Sequence, residues 1–339
     1  MTQKSVSISV IVPAYNAAAT IAECMAALSN QSLPQSEYEV IVVDDGSTDN
    51  TADIAARYGA RVLRQANSGP AVARNKGIAE ARGAVILFTD ADCAPAPEWI
   101  QEMVAPLDDP QIEGCKGVYR TRQENLTARF IQVEYEDRYD HTARHKYVDF
   151  IDTYAAGYRR DILVASGGFN TSFPLASVED QELSFRLAGT GHKMVFNPRA
   201  EVYHRHPESW LTYAQRKYKI GYWKTLVLRL HPSKAWRDSH TPWNLKVQML
   251  LAALSAPLTL LSFFARPFLW LLGVTLGAFA LSAIPFVAKA WRRDRPLALL
   301  CLPVLYLRAW SLGLGFVAGY ASAVFHRGSL PGASRTAER

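Results

Sequence analysis

Two kinds of apolar patterning divide the chain. In the first two thirds, the mainly apolar runs 7–12, 39–43 and 85–88 are typical of strands, the last two of buried strands, and residues 61–64 are predicted to form a further short strand. Apolar side chains at helical spacing predict helices between them, at residues 17–30, 51–58 and 70–82. This regular alternation predicts an α/β fold with an open, mostly parallel sheet between helices.

The last third of the chain is apolar over much longer stretches. Residues 247–265 and 267–288 contain no charged residue, and a third run, 296–325, is interrupted by Arg308. A helix that rises 1.5 Å per residue needs about 20 residues to cross the hydrocarbon core of a bilayer. We therefore expect about three transmembrane helices. The third run is either a span with Arg308 facing protein or headgroups, which we favour, or an interfacial segment.

Charge predicts how these helices are oriented. The loop between the second and third runs carries the basic residues Lys289, Arg292, Arg293 and Arg295, and loops rich in arginine and lysine face the cytoplasm. With the first two spans paired as a hairpin, the N-terminal part of the chain lies on the cytoplasmic side as well. This topology predicts a multi-pass protein of the cell membrane, such as a bacterial inner membrane.

Composition alters this picture little. A length of 339 residues corresponds to roughly two domains, and the mean hydropathy of −0.05 averages a polar part with an apolar part. The net charge of +6 suits lipid headgroups, sugar diphosphates or nucleic acid without choosing among them. The four cysteines lack the spacing of a metal site or a disulfide framework, which predicts buried free thiols in a reducing compartment.

Acidic residues follow the ends of two predicted strands. Asp44 and Asp45 follow the second strand, and Asp90 and Asp92 follow the fourth. Open parallel sheets bind ligands at the carboxyl ends of their strands. Carboxylates at i and i+2 face the same side of an extended strand end and favour a cation there. We therefore expect Mn²⁺ or Mg²⁺ bridging to phosphates, the alternative being two aspartates that cap the next helix.

A basic pair completes the predicted crevice. Arg74 and Lys76 lie near strand ends, where they are expected to meet phosphate oxygens. A solvated helix face is the alternative explanation for this pair.

Five ordered motifs resemble those of the inverting family-two glycosyltransferases. They are SVIVPAYN at 9–16, VVDDGSTD at 42–49, GPAVARNKG at 69–77, TDAD at 89–92, and a later group with AGYRR at 156–160, GGF at 167–169 and EDQELSFR at 179–186. The resemblance covers about residues 5–210 and implies the nucleotide-diphospho-sugar transferase (GT-A) fold. Within that family the chain is most similar to succinoglycan-type exopolysaccharide glycosyltransferases, which carry a C-terminal membrane region.

The resemblance implies where the nucleotide and the metal bind. It implies that Pro13, Tyr15 and Asn16 line the nucleotide site and that Asp45 contacts the base. Asp90 and Asp92 correspond to the family's DxD pair, in which Asp92 is the better candidate for direct metal ligation. Some transferases of this fold recruit a histidine after the base, which makes His204 a further candidate ligand, although a lone histidine is more often structural.

The resemblance also implies the catalytic base. In such enzymes the aspartate of the Glu179–Asp180 pair, Asp180, is the general base. Inverting transfer is one in-line displacement that needs a carboxylate to deprotonate the acceptor hydroxyl and a cation to stabilise the leaving diphosphate. We expect the adjacent Glu179 to raise the pKa of Asp180, and both residues can also cap the helix that follows.

The chain departs from its processive relatives after this motif. Polysaccharide synthases of the wider family carry a Gln-x-x-Arg-Trp motif, whereas the nearest segment here, QRKYK at 215–219, lacks the Arg-Trp pair. With only about three spans as well, addition of a single sugar is favoured over polymerisation. The segment 210–223 mixes aromatic and basic residues as interfacial helices do, and it is expected to present a lipid-linked acceptor or to act as a structural connector.

Together these observations predict a membrane-anchored, metal-dependent, inverting glycosyltransferase. Its donor is expected to be a nucleotide diphosphate sugar such as a UDP-sugar, and its acceptor a lipid or lipid-linked glycan in contact with membrane lipids. Nucleic acid is not expected as a partner, because the basic aromatic stretch adjoins membrane spans. The alternatives are a polyprenyl-phosphate monosaccharide synthase and a non-catalytic membrane scaffold with a degenerate transferase domain.

The predicted domain organisation follows from the same patterns. A GT-A catalytic domain is expected at residues 1–208, an interfacial connector at 209–246, transmembrane helices at 247–326 and a flexible tail at 327–339. The charged segment 120–152 is predicted to be helical and to lie close to the acceptor.

Overall fold

The computed structural model describes residues 6–173, 178–235 and 238–325. The predicted tail at 327–339 lies outside these residues. The described residues divide into two compact units. The first comprises residues 6–122 and 142–205, and the second comprises residues 123–141 and 206–325.

One sheet organises the first unit. Its described strands are β1 (Ile8–Ala14), β2 (Tyr38–Asp44), β3 (Arg61–Arg64), β4 (Val85–Phe88), β5 (Cys93–Pro95), β6 (Gly114–Arg120), β7 (Ala156–Arg159) and β8 (Met194–His204), arranged in the order β3-β2-β1-β4-β7-β6-β8-β5. The pairs β1–β2, β1–β4, β2–β3 and β6–β8 are parallel. Strand β7 runs antiparallel to β4 and β6, and β5 runs antiparallel to β8. The mostly parallel sheet predicted from the sequence is therefore confirmed.

Helices connect these strands and bury their apolar faces on the sheet. They are α1 (Ile21–Ser29), α2 (Thr51–Arg57), α3 (Pro70–Glu80), α4 (Trp99–Val104), α6 (Arg160–Ala165) and α7 (Glu179–Gly189). Ile11, Ile41 and Ile86 from three neighbouring strands are fully buried in one core cluster. The strands predicted at 61–64 and 85–88 have the predicted ends, and the other predicted strands and helices are confirmed with ends shifted by a few residues.

The second unit is helical. Its described helices are α5 (Leu126–Thr142, whose last residue belongs to the first unit), α8 (Trp210–Leu230), α9 (Trp243–Ser262), α10 (Arg266–Arg293) and α11 (Arg295–Phe325). Three of them, α9, α10 and the part of α11 up to Val324, are long and apolar enough to cross a membrane. This number agrees with the sequence prediction. The segment 120–152, predicted to be helical, is helical in part, over α5, while Arg120 ends β6 and residues 143–152 lie outside any α-helix.

Glycine allows α8 and α11 to pack with their backbones in close contact. A Cβ atom added at Gly315 would collide with the carbonyl oxygen of Tyr218, and one added at Gly221 would collide with that of Leu312. The helix predicted to lie at the lipid interface is thus packed against the third apolar helix. Such close approach is possible only where a side chain is missing.

Replacing Gly315 by Leu is expected to destabilise the second unit by about 1–3 kcal/mol, because the new side chain must push the two backbones apart. Gly313 provides a matched control, since a Cβ atom there has open space around it. Thermal unfolding of the two purified variants in the same detergent tests the prediction. Equal melting temperatures for Gly315→Leu and Gly313→Leu would contradict it.

All four cysteines are free and buried. Burial raises the pKa of the Cys115 thiol to about 12 and that of the Cys93 thiol well above its ordinary value. The sequence prediction of buried free thiols is confirmed.

Candidate active site

Three neighbouring parallel strands bring the sequence motifs to one edge of the sheet. Strand β1 ends at Ala14, β2 at Asp44 and β4 at Phe88, and a motif extends beyond each of these ends. Because the strands are parallel, their carboxyl ends share one edge, where open α/β sheets bind their ligands. Pro13 lies on β1 itself, and Tyr15 follows it with its side chain half exposed.

Asn16 joins the loop after β1 to the loop after β2. Its φ of 48° lies in the left-handed region, which asparagine tolerates better than most residues. Its backbone N–H donates to Ser47 Oγ at 2.9 Å, and its side-chain oxygen accepts from the Thr48 N–H at 2.8 Å. Asn16 therefore positions both motif loops, and its contact with a nucleotide stays a prediction.

Asp45 organises the loop that leads into α3. The carboxylate is buried, and its Oδ1 accepts from Gln65 Nε2 at 2.7 Å and from the Ser68 N–H at 2.9 Å. Its Oδ2 accepts from the N–H of Gly69 at 2.8 Å. A carboxylate has about four acceptor positions, so about one remains on Oδ2 for a ligand.

Arg74 connects two motifs that are far apart in sequence. It lies on α3, is 3% exposed, and donates from Nη1 to Glu179 Oε1 at 2.7 Å and from Nη2 to Asp90 Oδ1 at 3.1 Å. Glu179 is equally buried, so this pair is shielded from water. Lys76 instead donates to the Arg64 carbonyl at 2.6 Å. The expected contacts of Arg74 and Lys76 with phosphate stay predictions.

Asp92, Cys93 and His204 bring three potential ligand atoms within 4.8 Å of one another. Cys93 and His204 face each other in the antiparallel β5–β8 pair, which places His204 Nε2 3.3 Å from an Asp92 oxygen. The His204 ring is buried and stacks on Tyr119, whereas the Asp92 side chain is 46% exposed. Asp90 lies beside this group but is bonded to Arg74. A solvent-facing carboxylate next to an oriented imidazole is a donor set that suits a divalent cation.

Asp180 sits in the first turn of α7. Its carboxylate accepts from the Gln181 N–H at 2.8 Å and from the Thr153 N–H at 3.4 Å. Because Glu179 faces Arg74 while Asp180 does not bond to it, the two adjacent carboxylates have different surroundings. Of these two carboxylates, Asp180 is therefore the better candidate for a proton acceptor, and this role stays a prediction.

The pKa of Asp180 is raised well above its ordinary value. Burial is the main cause, the charges of Glu179 and Asp152 add to it, and Arg74 opposes it. The expected direction is therefore found, although burial contributes more than the adjacent glutamate. A carboxylate with a raised pKa is a stronger base, as a general base requires.

Asn75 holds the GGF segment against α3, a contact that the sequence did not predict. Its side chain donates to the Phe169 carbonyl at 2.8 Å and accepts from the Phe169 N–H at 2.7 Å. Gly168 has a φ of 72°, and a Cβ atom there would collide with Asn75 Oδ1. Both residues stand in the quoted motifs, but motif spacing contains no information about which motifs touch.

A buried ion pair next to the candidate base was also missed. Lys116 is almost fully buried in β6, where it pairs with Asp152 and lies 4.5 Å from the centre of the Phe150 ring. A lysine within a strand gives no signal in the sequence of its distant partner. The pair places Asp152 where its charge acts on Asp180.

Part of the chain matches a known protein family. Residues 9–165 match the model of a family described as Glycosyl transferase family 2. These residues form a glycosyl transferase family 2 domain. The resemblance found in the sequence motifs is thereby confirmed, whereas the closer likeness to succinoglycan-type enzymes stays a prediction.

Relatives of the family-2 domain occur in archaea and bacteria. The chain is 35% identical to Glycosyltransferase AglE of Haloferax volcanii over 119 residues, which are 33% of this chain and 39% of that protein. It is 29% identical to Probable glycosyltransferase YdaM of Bacillus subtilis over 219 residues, which are 60% of this chain and 51% of that protein. The chain thus spans about half or less of the length of these relatives.

A solved structure supports the fold. The structure of mannosyltransferase PcManGT from Pyrobaculum calidifontis, in complex with GDP-Man and Mn²⁺, is similar with a TM-score of 0.57 and 20% identity, over 97% of this chain and 89% of that chain. At this level of identity the likeness concerns the fold alone, and the predicted GT-A fold is confirmed.

Proposed function

We propose that the chain is a membrane-anchored, metal-dependent, inverting glycosyltransferase that transfers one sugar from a nucleotide diphosphate sugar to a lipid or lipid-linked saccharide. The observation that carries this proposal is the double ion pair of Arg74. It joins Asp90 of the DxD motif to Glu179, the neighbour of Asp180. A cation site and a proton acceptor, the two groups that inverting transfer needs, are therefore held in one framework.

The residues present fit a divalent metal ion. Asp92 and His204 would hold Mn²⁺ or Mg²⁺, with the Asp90 carboxylate beside them. When bound, such an ion supplies positive charge to a departing nucleotide diphosphate.

Asp180 is the proposed general base. As the acceptor oxygen forms its bond to the anomeric carbon and the bond to the diphosphate breaks, Asp180 takes the proton of the acceptor hydroxyl. Attack from the side opposite the leaving group inverts the anomeric configuration. Glu179 does not share this role, because its carboxylate remains paired with the buried Arg74.

The crevice at the carboxyl ends of the strands suits a nucleotide. The remaining acceptor position on Asp45 Oδ2 can take a hydrogen bond from an N–H of a base such as uracil. The exposed Tyr15 ring, in the loop after β1, offers an apolar face at the same edge of the sheet. A UDP-sugar is the expected donor.

The apolar helices support a membrane location. Helices α9 to α11 have the length and hydropathy of membrane spans, and basic residues surround the turn from α10 to α11. We propose a multi-pass protein of a bacterial inner membrane with the family-2 domain on the cytoplasmic side. A protein held in this way is suited to an acceptor that is itself a lipid.

The experiment that tests this function uses purified full-length protein in lipid, a panel of nucleotide sugars and extracted membrane lipids. Mass spectrometry is expected to find one sugar added to a lipid-soluble product from one nucleotide sugar. Chelation by EDTA is expected to stop the transfer, and added Mn²⁺ or Mg²⁺ to restore it. Full activity in EDTA would overturn the metal role, and a failure to consume any nucleotide sugar would overturn the function.

The rate of transfer is expected to fall as the pH is lowered through the raised pKa of Asp180, because only the ionised carboxylate accepts a proton. The pH at which the rate falls on the acidic side should therefore lie above the ordinary pKa of aspartate, about 3.9. Initial rates at saturating substrate across a pH series measure it. A rate that stays constant down to pH about 4 would contradict the role of Asp180.

A further inference from the structure

A cavity of about 590 Å³ lies within the second unit. All five helices of that unit, α5 and α8 to α11, contribute to its lining, as do the residues that follow α8. Cavities that bind small molecules have volumes of about 300–1,000 Å³, so this one is large enough for part of a substrate.

The lining combines apolar and cationic side chains. Leu250, Phe286, Leu312 and Phe316 come from the three candidate membrane spans, and Leu228 comes from α8. Among the described residues, six cationic ones also line the cavity: Arg138, Lys217, Lys224, Lys234, Lys246 and Arg308. The carboxylates among the described lining residues are Glu134, Asp137 and Asp238, so positive charge is in excess within this set.

Glu134 holds part of this charge in place. Its carboxylate is buried and accepts from Lys217 Nζ at 2.6 Å, while Arg308 lies 3.6 Å away and Arg138 lies 3.8 Å away. Burial acts to raise the pKa of Glu134, but these cations outweigh it and lower the pKa. One carboxylate therefore gathers three cations at the cavity wall.

Arg308 retains hydrogen-bonding capacity inside the unit. It is 7% exposed and donates from Nη2 to Gln248 Oε1 at 2.7 Å. Its Nε is buried and has no hydrogen-bond partner among the described residues. A buried guanidinium N–H without a partner is costly, and an anionic ligand in the cavity would provide one.

Two further lysines of the lining are positioned by hydrogen bonds to oxygen atoms. Lys224 Nζ donates to Thr241 Oγ1 at 2.9 Å, and Lys246 Nζ donates to the Ala235 carbonyl at 2.9 Å. Each of these bonds fixes the position of an ammonium group at the cavity wall.

We propose that this cavity binds an amphiphile with a phosphate or diphosphate head and a long hydrocarbon tail. The cations receive the head, and the apolar side chains of the spans contact the tail. Its identification as the lipid part of the sugar acceptor rests on the proposed function. The proposal that the cavity binds such an amphiphile does not depend on that function, because it rests on residues of the second unit alone.

Binding to the unmodified full-length protein provides the first test. Farnesyl phosphate carries both head and tail, farnesol carries only the tail, and inorganic phosphate carries only the head. Native mass spectrometry or calorimetry in a neutral detergent is expected to show farnesyl phosphate binding at least about tenfold more tightly than farnesol, because the alcohol lacks the charge-assisted hydrogen bonds. Equal affinity for the two would overturn the proposal.

A pair of variants tests the residues. Lys224→Met combined with Lys246→Met is expected to weaken farnesyl phosphate binding about tenfold or more. Lys219→Met is the matched control, since Lys219 is exposed on the same helix as Lys224 and does not line the cavity. The melting temperature of each variant and its affinity for nucleotide show whether it is folded.

The two hypotheses fail in different ways. If the cavity variant binds farnesyl phosphate as tightly as the wild type, or if Lys219→Met loses as much affinity, the cavity assignment is overturned even while sugar transfer to lipid continues. If no nucleotide sugar is consumed, the proposed function is overturned, yet the farnesyl phosphate measurement still decides whether the cavity binds the amphiphile.

Discussion

Replacing Asp180 by Asn is expected to slow sugar transfer about a hundredfold to ten-thousandfold, the contribution of a well-placed general base. The amide keeps the shape of the side chain and still accepts from the Gln181 N–H, but it cannot take a proton from the acceptor hydroxyl. Nucleotide affinity should remain unchanged, because the proposed base contacts the acceptor and not the donor. Steady-state rates and a nucleotide titration on the same preparation measure both quantities.

Asp161 offers a control for this substitution. Its side chain is exposed on α6, where it accepts only from the N–H of its neighbour Ile162 among the bonds described. Asp161→Asn should therefore transfer sugar at the rate of the wild type. Turnover within a few-fold of the wild type in Asp180→Asn would show that another group removes the proton.

The same substitution is expected to stabilise the family-2 domain. Since the pKa of Asp180 is raised in the folded state, the folded protein binds this proton more tightly than the unfolded chain does. Ionisation therefore costs stability as the pH rises above the unfolded value of about 3.9. As the pH increases above this value, the melting temperature of Asp180→Asn minus that of the wild type should therefore increase. A decrease of this difference with increasing pH would contradict the raised pKa of Asp180.

Replacing Arg74 by Met is expected to destabilise the domain by about 3–5 kcal/mol, because it leaves the buried Glu179 carboxylate without its cation. For a domain of this size such a loss corresponds to a melting temperature lower by about 6–20 °C. It should also reduce transfer sharply, since Asp90 loses the donor that holds it beside the proposed cation site. Thermal unfolding and initial rates measure the two effects.

The matched control is the exposed pair of Arg61 and Glu80, whose side chains are 34% and 46% exposed. Arg61→Met should cost less than about 1 kcal/mol, because water replaces most of what an exposed ion pair provides. Adding Glu179→Gln to Arg74→Met should recover part of the lost stability by removing the unpaired charge. If Arg74→Met and Arg61→Met melt alike, Arg74 does not hold the site together.

The sequence predicts those strands that contain a run of apolar residues. Strands β1, β2 and β4 contain continuous apolar runs at residues 10–12, 40–43 and 85–88, so burial on both faces is apparent from the sequence. Strand β6 is just as buried but contains Lys116 and two glycines, so it has no apolar pattern to detect. Its lysine is tolerated because Asp152, distant in sequence, pairs with it.

The candidate site was predictable to a similar degree. Motif order indicated the positions of Asp45, Asp92 and Asp180, and the β5–β8 pairing then brings His204 to Asp92. The position of the end group of a long side chain depends on tertiary packing, and the spacing of motifs contains no information about that packing. Arg74 was therefore expected at a phosphate, whereas it lies between two carboxylates.

Because all four native thiols are buried, membrane-impermeant maleimides should react slowly with the natural chain. A single cysteine introduced at an exposed position, such as Arg292 near the turn between the second and third candidate spans, would then be the main site of labelling in intact vesicles. Labelling of the introduced cysteine would therefore show which side of a bilayer its loop occupies. The natural cysteines need not be removed first.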